Sequence, residues 1–302
     1  MTQSNLIRTL TSEEDQSVNY IYDATNIGTF EARYVRREDK YFIVYLSSQS
    51  GCDQACRMCH LTSTGQNKYE NATLEDFLKQ ANKVYEHYDS QNKAELVHYN
   101  FMARGEALNN KLILENSGLL LSSLEELANK RNLESKFLMS TILPNALGNK
   151  KIIEIFPEIH PEIYYSIYSM NPKFRKKWLA RALHAEQGLD MLKEWQDETG
   201  KVPKIHFAFI EGENDSEKDM IDIAKAVKER DLKVNINIVR YNPYSDKYGK
   251  EPEECVIQRN FELLKELLNP EQARIVPKVG RDVKASCGMF VEAQTSLEKT
   301  LK

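Results

Sequence analysis

Three cysteines crowd into the stretch "GCDQACRMCH", at Cys52, Cys56 and Cys59, and no fourth stands beside them. Thiolates packed this closely hold metal. Zinc is one reading, with His60 as a fourth ligand, although zinc pairs are commonly spaced CxxC and adjacent Cys-His ligation is cramped. An iron–sulfur cluster is the other. Three thiolates hold three irons of a four-iron cluster and leave the fourth open to an outside ligand, whereas simple electron carriers usually supply four cysteines. The two remaining cysteines, Cys255 and Cys287, lie about 200 residues downstream and lack the local spacing of cluster ligands. An odd number of cysteines with three crowded together makes a poor disulfide framework and suits a reducing compartment.

The elements that must carry this loop are legible from periodicity. Apolar, β-branched runs predict strands at 40–48, 95–102, 136–142, 162–169, 204–210 and 233–240, each followed by a candidate helix. The clearest helices are 73–88, 216–230, which opens on the capping pattern Ser216-x-x-Asp219, and 256–268, which leads into "ARIVPKV". Six β-then-α units predict an α/β fold, a parallel sheet curled into a partial (β/α)6 barrel of the TIM type with right-handed crossovers. The domain plan is a small N-terminal extension over 1–39, the barrel over 40–290 and a tail over 291–302. In such a barrel the loops after the strands carry the chemistry, and the cysteine loop follows the first strand directly.

Composition sets outer bounds. The 302 residues are 41% hydrophobic and 28% charged with a net charge of −4, so nucleic-acid binding would rest on local basic patches. No run approaches the roughly 18 apolar residues of a membrane span and the N-terminus has no signal-like segment, so a cytoplasmic protein, acting as a monomer, is expected. One such patch is "NPKFRKKWLARALH", where Lys173, Arg175, Lys176, Lys177 and Arg181 surround Phe174 and Trp178; Arg33, Arg36 and Arg37 add a second. Phosphate pairing with aromatic stacking is the expected footprint of RNA, and a solvated amphipathic helix is the plainer alternative.

CxxxCxxC after the first strand of a βα barrel resembles radical S-adenosylmethionine (SAM) enzymes, and "SSQSGCDQACRMCHLTSTGQN" is similar to the cluster loop of the RlmN/Cfr RNA methyltransferases. "FMARGEALNN" (101–110) resembles the family's Gly-Glu-Pro motif, "MSTILP" (139–144) its Ser-Thr motif and "SIYSMNPKFR" (166–175) its Ser-Leu-His-Ala segment. "EGENDS", "NINIVRYNPY" and "VGRDVKASCGMF" then match later segments in order, so the likeness spans roughly residues 20 to 290. The resemblance implies a 4Fe-4S cluster on Cys52, Cys56 and Cys59, with SAM held by Gly105, Glu106, Ser140, Ser166 and Asn242. It implies that Cys287 carries a methyl group destined for carbon 2 or 8 of an adenine in ribosomal or transfer RNA. A flavodoxin or ferredoxin would supply the electron.

Four departures limit the likeness. Ala107 stands for the proline of Gly-Glu-Pro, and Tyr168 for the histidine of Ser-Leu-His. Family members carry a second cysteine seven residues before the first cluster ligand, where this chain has Tyr45. That thiol takes a proton and frees the product by disulfide formation, which a phenol cannot do, so Cys255 becomes the candidate resolving thiol, expected near a helix start on the catalytic face. Members also have an additional N-terminal RNA-holding domain, for which residues 1–39 are too short. The alternatives are a radical SAM enzyme with a different acceptor (peptide, nucleotide or DNA base) and a catalytically silent metal-binding protein.

Overall fold

Alternation of β-branched and aromatic residues drives ten segments into one sheet, described by the computed structural model over residues 5–292. The strands are β1 (Asn5–Thr11), β2 (Val18–Asp23), β3 (Thr29–Glu38), β4 (Tyr41–Tyr45), β5 (Leu96–Phe101), β6 (Glu134–Thr141), β7 (Glu162–Tyr165), β8 (Lys204–Ala208), β9 (Asn235–Val239) and β10 (Ala273–Ile275). They lie in sequence order. β1 to β4 pair antiparallel, and β4 to β10 pair parallel. All six expected strands form, each within a few residues of its expected limits. The count of six falls one short, because "ARIVPKV" contributes a seventh parallel strand, β10, too brief to show a period.

The segment before residue 40 is three antiparallel strands continuous with the sheet. Its register is tight: Arg33 faces Tyr45 and Tyr34 faces Val44 across the β3–β4 pair. Nearly all of the expected tail, 293–302, falls outside the described residues. Side chains from β4 through β10 line one cavity, Ile43, Asn100, Ser140, Tyr164, His206, Asn237 and Arg274 among them, so the parallel strands curl around it.

The helices are α1 (His60–Ser63), α2 (Leu74–Tyr88), α3 (Lys111–Asn129), α4 (Ile152–Ile155), α5 (Pro172–Trp178), α6 (Ala185–Thr199), α7 (Glu217–Lys228) and α8 (Glu254–Leu268). α2 begins with a full capping box between Thr73 and Asp76 and buries Phe77, Ala81, Val84, Tyr85 and Tyr88 on one face. Tyr88 stacks on Phe42 of β4 at 4.1 Å, and each such ring contributes on the order of 1.5–3 kcal/mol by leaving water. α7 starts where its capping pattern places it, with the Ser216 hydroxyl accepting the Asp219 N–H at 3.2 Å. No helix among the described residues is long and apolar enough to cross a membrane.

One buried ion cluster joins the ends of the chain. Glu31 on β3 is fully buried; it accepts from Arg33 at 2.8 Å on one oxygen and from Arg104 at 2.8 Å on the other. The same carboxylate accepts the backbone N–H of Val291 at 3.0 Å, and Arg104 donates to the Val291 carbonyl at 2.6 Å. Phe290 lies against both guanidiniums, 4.9 Å and 5.9 Å from their central carbons. Burial alone would raise the Glu31 pKa, but the Arg104 and Arg33 guanidiniums outweigh it and hold the carboxyl below its usual value. Such a group adds stability above the ordinary carboxylate pKa, and that stability is lost as pH falls through the lowered one.

Glu31→Gln leaves two buried guanidiniums without their anion, a change that costs about 3–5 kcal/mol. Urea unfolding at neutral pH should show a loss of that order. A loss under about 1 kcal/mol would mean the ion cluster is dispensable.

Candidate active site

The cysteine loop leaves β4 at its C-terminal end and is tied down by backbone bonds before any metal is considered. Ser48 and Gln49 donate to the Arg104 carbonyl at 2.8 Å and 3.2 Å, and Cys52 donates to the Gln66 carbonyl at 3.0 Å. Gly51 is required by close approach, since a Cβ there would sit 2.3 Å from the Lys68 carbonyl oxygen. Gly105 has φ of +94° and packs on Gln49, whose Cβ would lie 2.6 Å from an added methyl. That close packing is the reason for the glycine in "RGEAL". Glu106 follows, donating its N–H to the Gln49 side chain at 3.1 Å.

Cys52, Cys56, Cys59, Gly105, Glu106, Ser140, Ser166, Tyr45 and Cys287 all open onto the one cavity at this end of the sheet. Burial raises the pKa of Cys52, Cys56 and Cys59, and for Cys52 and Cys56 a neighbouring thiolate adds to the rise. Held as thiolates, the three would need a compensating cation, which iron would supply. Among the described residues no three His, Cys, Asp or Glu side chains converge to hold a single metal ion. Tetrahedral zinc would need its ligands within about 2.0–2.3 Å of one point. His60, its fourth ligand on paper, instead meets the Asn242 carbonyl at 3.1 Å through Nε2. In a cluster each thiolate binds a different iron, and the donor set fits that group.

Glu106 is fitted for a ligand cation. Burial pushes its pKa up to about 7, against hydrogen bonds from Thr141 and the N–H groups of Ile142 (3.2 Å) and Leu108 (3.1 Å). An ammonium beside it would restore the charged form. Asn242 does not line the cavity. Its Nδ2 donates to Ser286 at 3.2 Å and to the Cys287 carbonyl at 3.0 Å, so it anchors the segment bearing Cys287 while its buried Oδ1 has no partner. The Cys287 residue is exposed, but its thiol turns into the cavity, where surrounding atoms and then Cys59 push it up to about 11.

Two expectations need correction. Cys255 lies one residue inside α8, near the helix start as expected, but it is exposed beside Glu253 at 3.8 Å and contributes nothing to the cavity. The basic patch does not hold together as an aromatic-backed surface. Arg175 is buried, donating at 2.6 Å to both Ile167 and Leu183 carbonyls, and Phe174 and Trp178 are core residues. α5 is amphipathic, and these three form its inner stripe. Lys177 pairs with Glu213 and Arg181 with Asp53, leaving Lys173 and Lys176 exposed and outside any ion pair among the described residues. Arg33, assigned to the second patch, belongs to the Glu31 cluster. The roles of Glu31 and Arg104 went unread in the sequence, since a buried ion pair between distant segments has no local signal.

No family model matches the chain. Curated relatives do. It is 26% identical over 262 residues to the probable dual-specificity RNA methyltransferase RlmN of Trichormus variabilis, covering 83% of this chain and 66% of that protein. To the RlmN of Thermosipho melanesiensis it is 22% identical over 282 residues, 92% of this chain and 77% of that one. To the ribosomal RNA large subunit methyltransferase Cfr of Shouchella clausii it is 26% identical over 255 residues, 81% and 67%. Over most of its length the chain is thus similar to the RlmN and Cfr methyltransferases. A solved radical SAM methyltransferase from Sphaerobacter thermophilus shares the fold, with a TM-score of 0.78 at 17% identity over 96% of this chain and 81% of that one. Methylornithine synthase PylB shares it more loosely, with a TM-score of 0.51 at 11% identity over 77% and 63%. The RlmN/Cfr-like order of motifs thus coincides with one set of loops around one cavity.

Changing Cys52, Cys56 or Cys59 to alanine should abolish most of the iron bound after anaerobic reconstitution. Metal analysis that finds zinc and no iron in the wild-type protein would overturn the cluster assignment.

Proposed function

We propose that this protein is a radical SAM methyltransferase that adds a methyl group to a ring carbon, 2 or 8, of an adenine in RNA, with Cys287 as the methyl carrier. The observation that carries the reading is that Cys287, 228 residues after Cys59, opens onto the same cavity as the three loop cysteines. Homology to the RlmN/Cfr enzymes supports the reaction class.

Cys52, Cys56 and Cys59 would hold the cluster, and Glu106, Ser140 and Ser166 would hold SAM. Bound there, the pair supplies a 5′-deoxyadenosyl radical that can take hydrogen from an unactivated methyl group. Cys287 supplies that methyl group. Its thiol keeps its proton at neutral pH, so the proton must leave as the sulfur takes the methyl from a SAM molecule. Adenine carbons 2 and 8 are too weakly nucleophilic for direct displacement, which is why the carbon must arrive as a radical on the Cys287 sulfur. The segment bearing it is clamped by Asn242, Arg104 and Glu31, so the sulfur is positioned and not free to swing.

Tyr45 lines the cavity where relatives place a second thiol. It can pass a proton but forms no disulfide, and Cys255 stands outside the cavity. Release of the product therefore calls on an external thiol, which would take the Cys287 sulfur as a disulfide while the freed carbon gains a proton. Lys173 and Lys176 remain as exposed contacts for an RNA backbone, and an external flavodoxin or ferredoxin is the proposed electron source.

Intact-protein mass spectrometry should find one added methyl group on Cys287. Cys287→Ala should retain its iron and make no methylated RNA, whereas Cys255→Ser should turn over as wild type does. Methylated RNA made by the alanine variant would end the carrier assignment.

A further inference from the structure

The end of the cavity away from the cysteine loop carries charge that the reaction above does not use. Strand register sets the side chains there next to one another: His98 beside Lys136 on β5 and β6, and His206 beside Asn237 beside Arg274 on β8, β9 and β10. Glu162 offsets part of the charge, taking Lys136 at 2.6 Å and Lys204 at 3.0 Å. Arg274 is held by a neutral group, its Nε donating to Asn237 Oδ1 at 2.8 Å. Asn237 passes the bond on through Nδ2 to His206 Nδ1 at 2.8 Å, which fixes the histidine proton on Nε2.

Arg37 enters from the other side. It falls at the irregularity between Arg36 and Glu38 in the β3–β4 pairing, where a bulge leaves one residue outside the ladder. Its side chain lines the cavity, and its buried Nε has no partner. No ion pair joins Arg37 or Arg274 to a carboxylate among the described residues, and the nearby acid, Glu162, is taken by Lys136 and Lys204, so the two guanidiniums line the cavity without an acid of their own. The local field already tells on the histidines. Burial first, then Lys136 and Arg274 for His98, and Arg274, Lys204 and Arg37 for His206, hold both down to about 4 and therefore neutral at pH 7.

Two guanidiniums without acids, facing a neutral hydrogen-bonding wall, suit an oxyanion that can take paired N–H donors. We propose that Arg37 and Arg274 form a subsite for the phosphate of the acceptor nucleotide, a step that rests on the methyltransferase reading for the identity of the base. The dimensions agree. Along β6, Lys136 and Ser140 are four residues apart, or roughly 13 Å, about the length of a nucleoside monophosphate from adenine to phosphate. A phosphate at the arginines directs the base toward Cys287, beside the SAM that Ser140 and Ser166 would hold.

The test measures binding of adenosine 5′-monophosphate, adenosine and a short single-stranded RNA to the full-length protein by calorimetry. The monophosphate should bind at least about tenfold more tightly than adenosine, the gain expected from charge-assisted bonds to one phosphate. Arg37→Gln and Arg274→Gln should each erase most of that difference, and Arg274→Lys should restore part of it, which a misfolded variant would not. Equal binding of nucleoside and nucleotide, or glutamine variants that bind as wild type does, would overturn the subsite. If only the free monophosphate shows the arginine dependence, the phosphate is that of a free nucleotide; if the RNA shows it too, the phosphate is that of the polymer. Reductive SAM cleavage, measured separately, keeps the two ideas apart. Arginine-dependent binding by a protein that never cleaves SAM sinks the methyltransferase reading alone, and cleavage without phosphate preference sinks the subsite alone.

Discussion

The carboxylate of Glu31 is the point on which the site depends. It lies in the first third of the sheet, on an antiparallel strand outside the parallel set, yet one of its oxygens, Oε1, takes both Arg104, the residue before the Gly-Glu motif, and the Val291 N–H in the segment after Cys287. Its own backbone closes the arrangement. The Glu31 N–H donates to Ser47 Oγ at 2.8 Å and the Glu31 carbonyl accepts from the same hydroxyl at 2.6 Å, which ties β3 to the start of the cysteine loop. A charge buried this deeply is tolerated only because every lone pair is matched. The matching requires the antiparallel strands, the cysteine loop, Arg104 and the C-terminal segment to be in place together, so the carrier cysteine and the cluster cysteines share one positional constraint.

This explains why an extension that looked like an accessory in the sequence is built into the sheet. The two guanidiniums exceed the one carboxylate, and the surplus positive charge faces the cysteines. Arg104 and Arg33 both work to lower the Cys59 pKa against its burial. The clamp therefore contributes to the electrostatics of the thiolates as well as to their position.

The barrel was legible because β4 to β9 are apolar runs of four to eight residues separated by helices, of which α2 and α7 open on clear caps, and period and punctuation agree. β10 escaped because three residues, Ala273 to Ile275, carry no period. Within the site, the cysteines, Gly105, Glu106 and Cys287 were readable from type, spacing and order. What could not be read was anything set by tertiary burial. Arg175 and Arg33 look like surface charges in a basic run, and only packing shows that one holds two carbonyls and the other a buried carboxylate. Asn242 holds the Cys287 carbonyl through Nδ2, a contact that nothing local in the sequence announces. Cys255 sits at the helix start its position in the chain suggested, exposed and outside the cavity lining.

The central claim is that this cavity generates a radical from SAM. The most direct measurement is reductive SAM cleavage by anaerobically reconstituted protein, followed as 5′-deoxyadenosine by mass spectrometry. Steady formation that requires both the reductant and all three loop cysteines is the predicted result. Iron bound in full with no 5′-deoxyadenosine formed, with or without RNA, would contradict the account and leave a cluster that serves only structure.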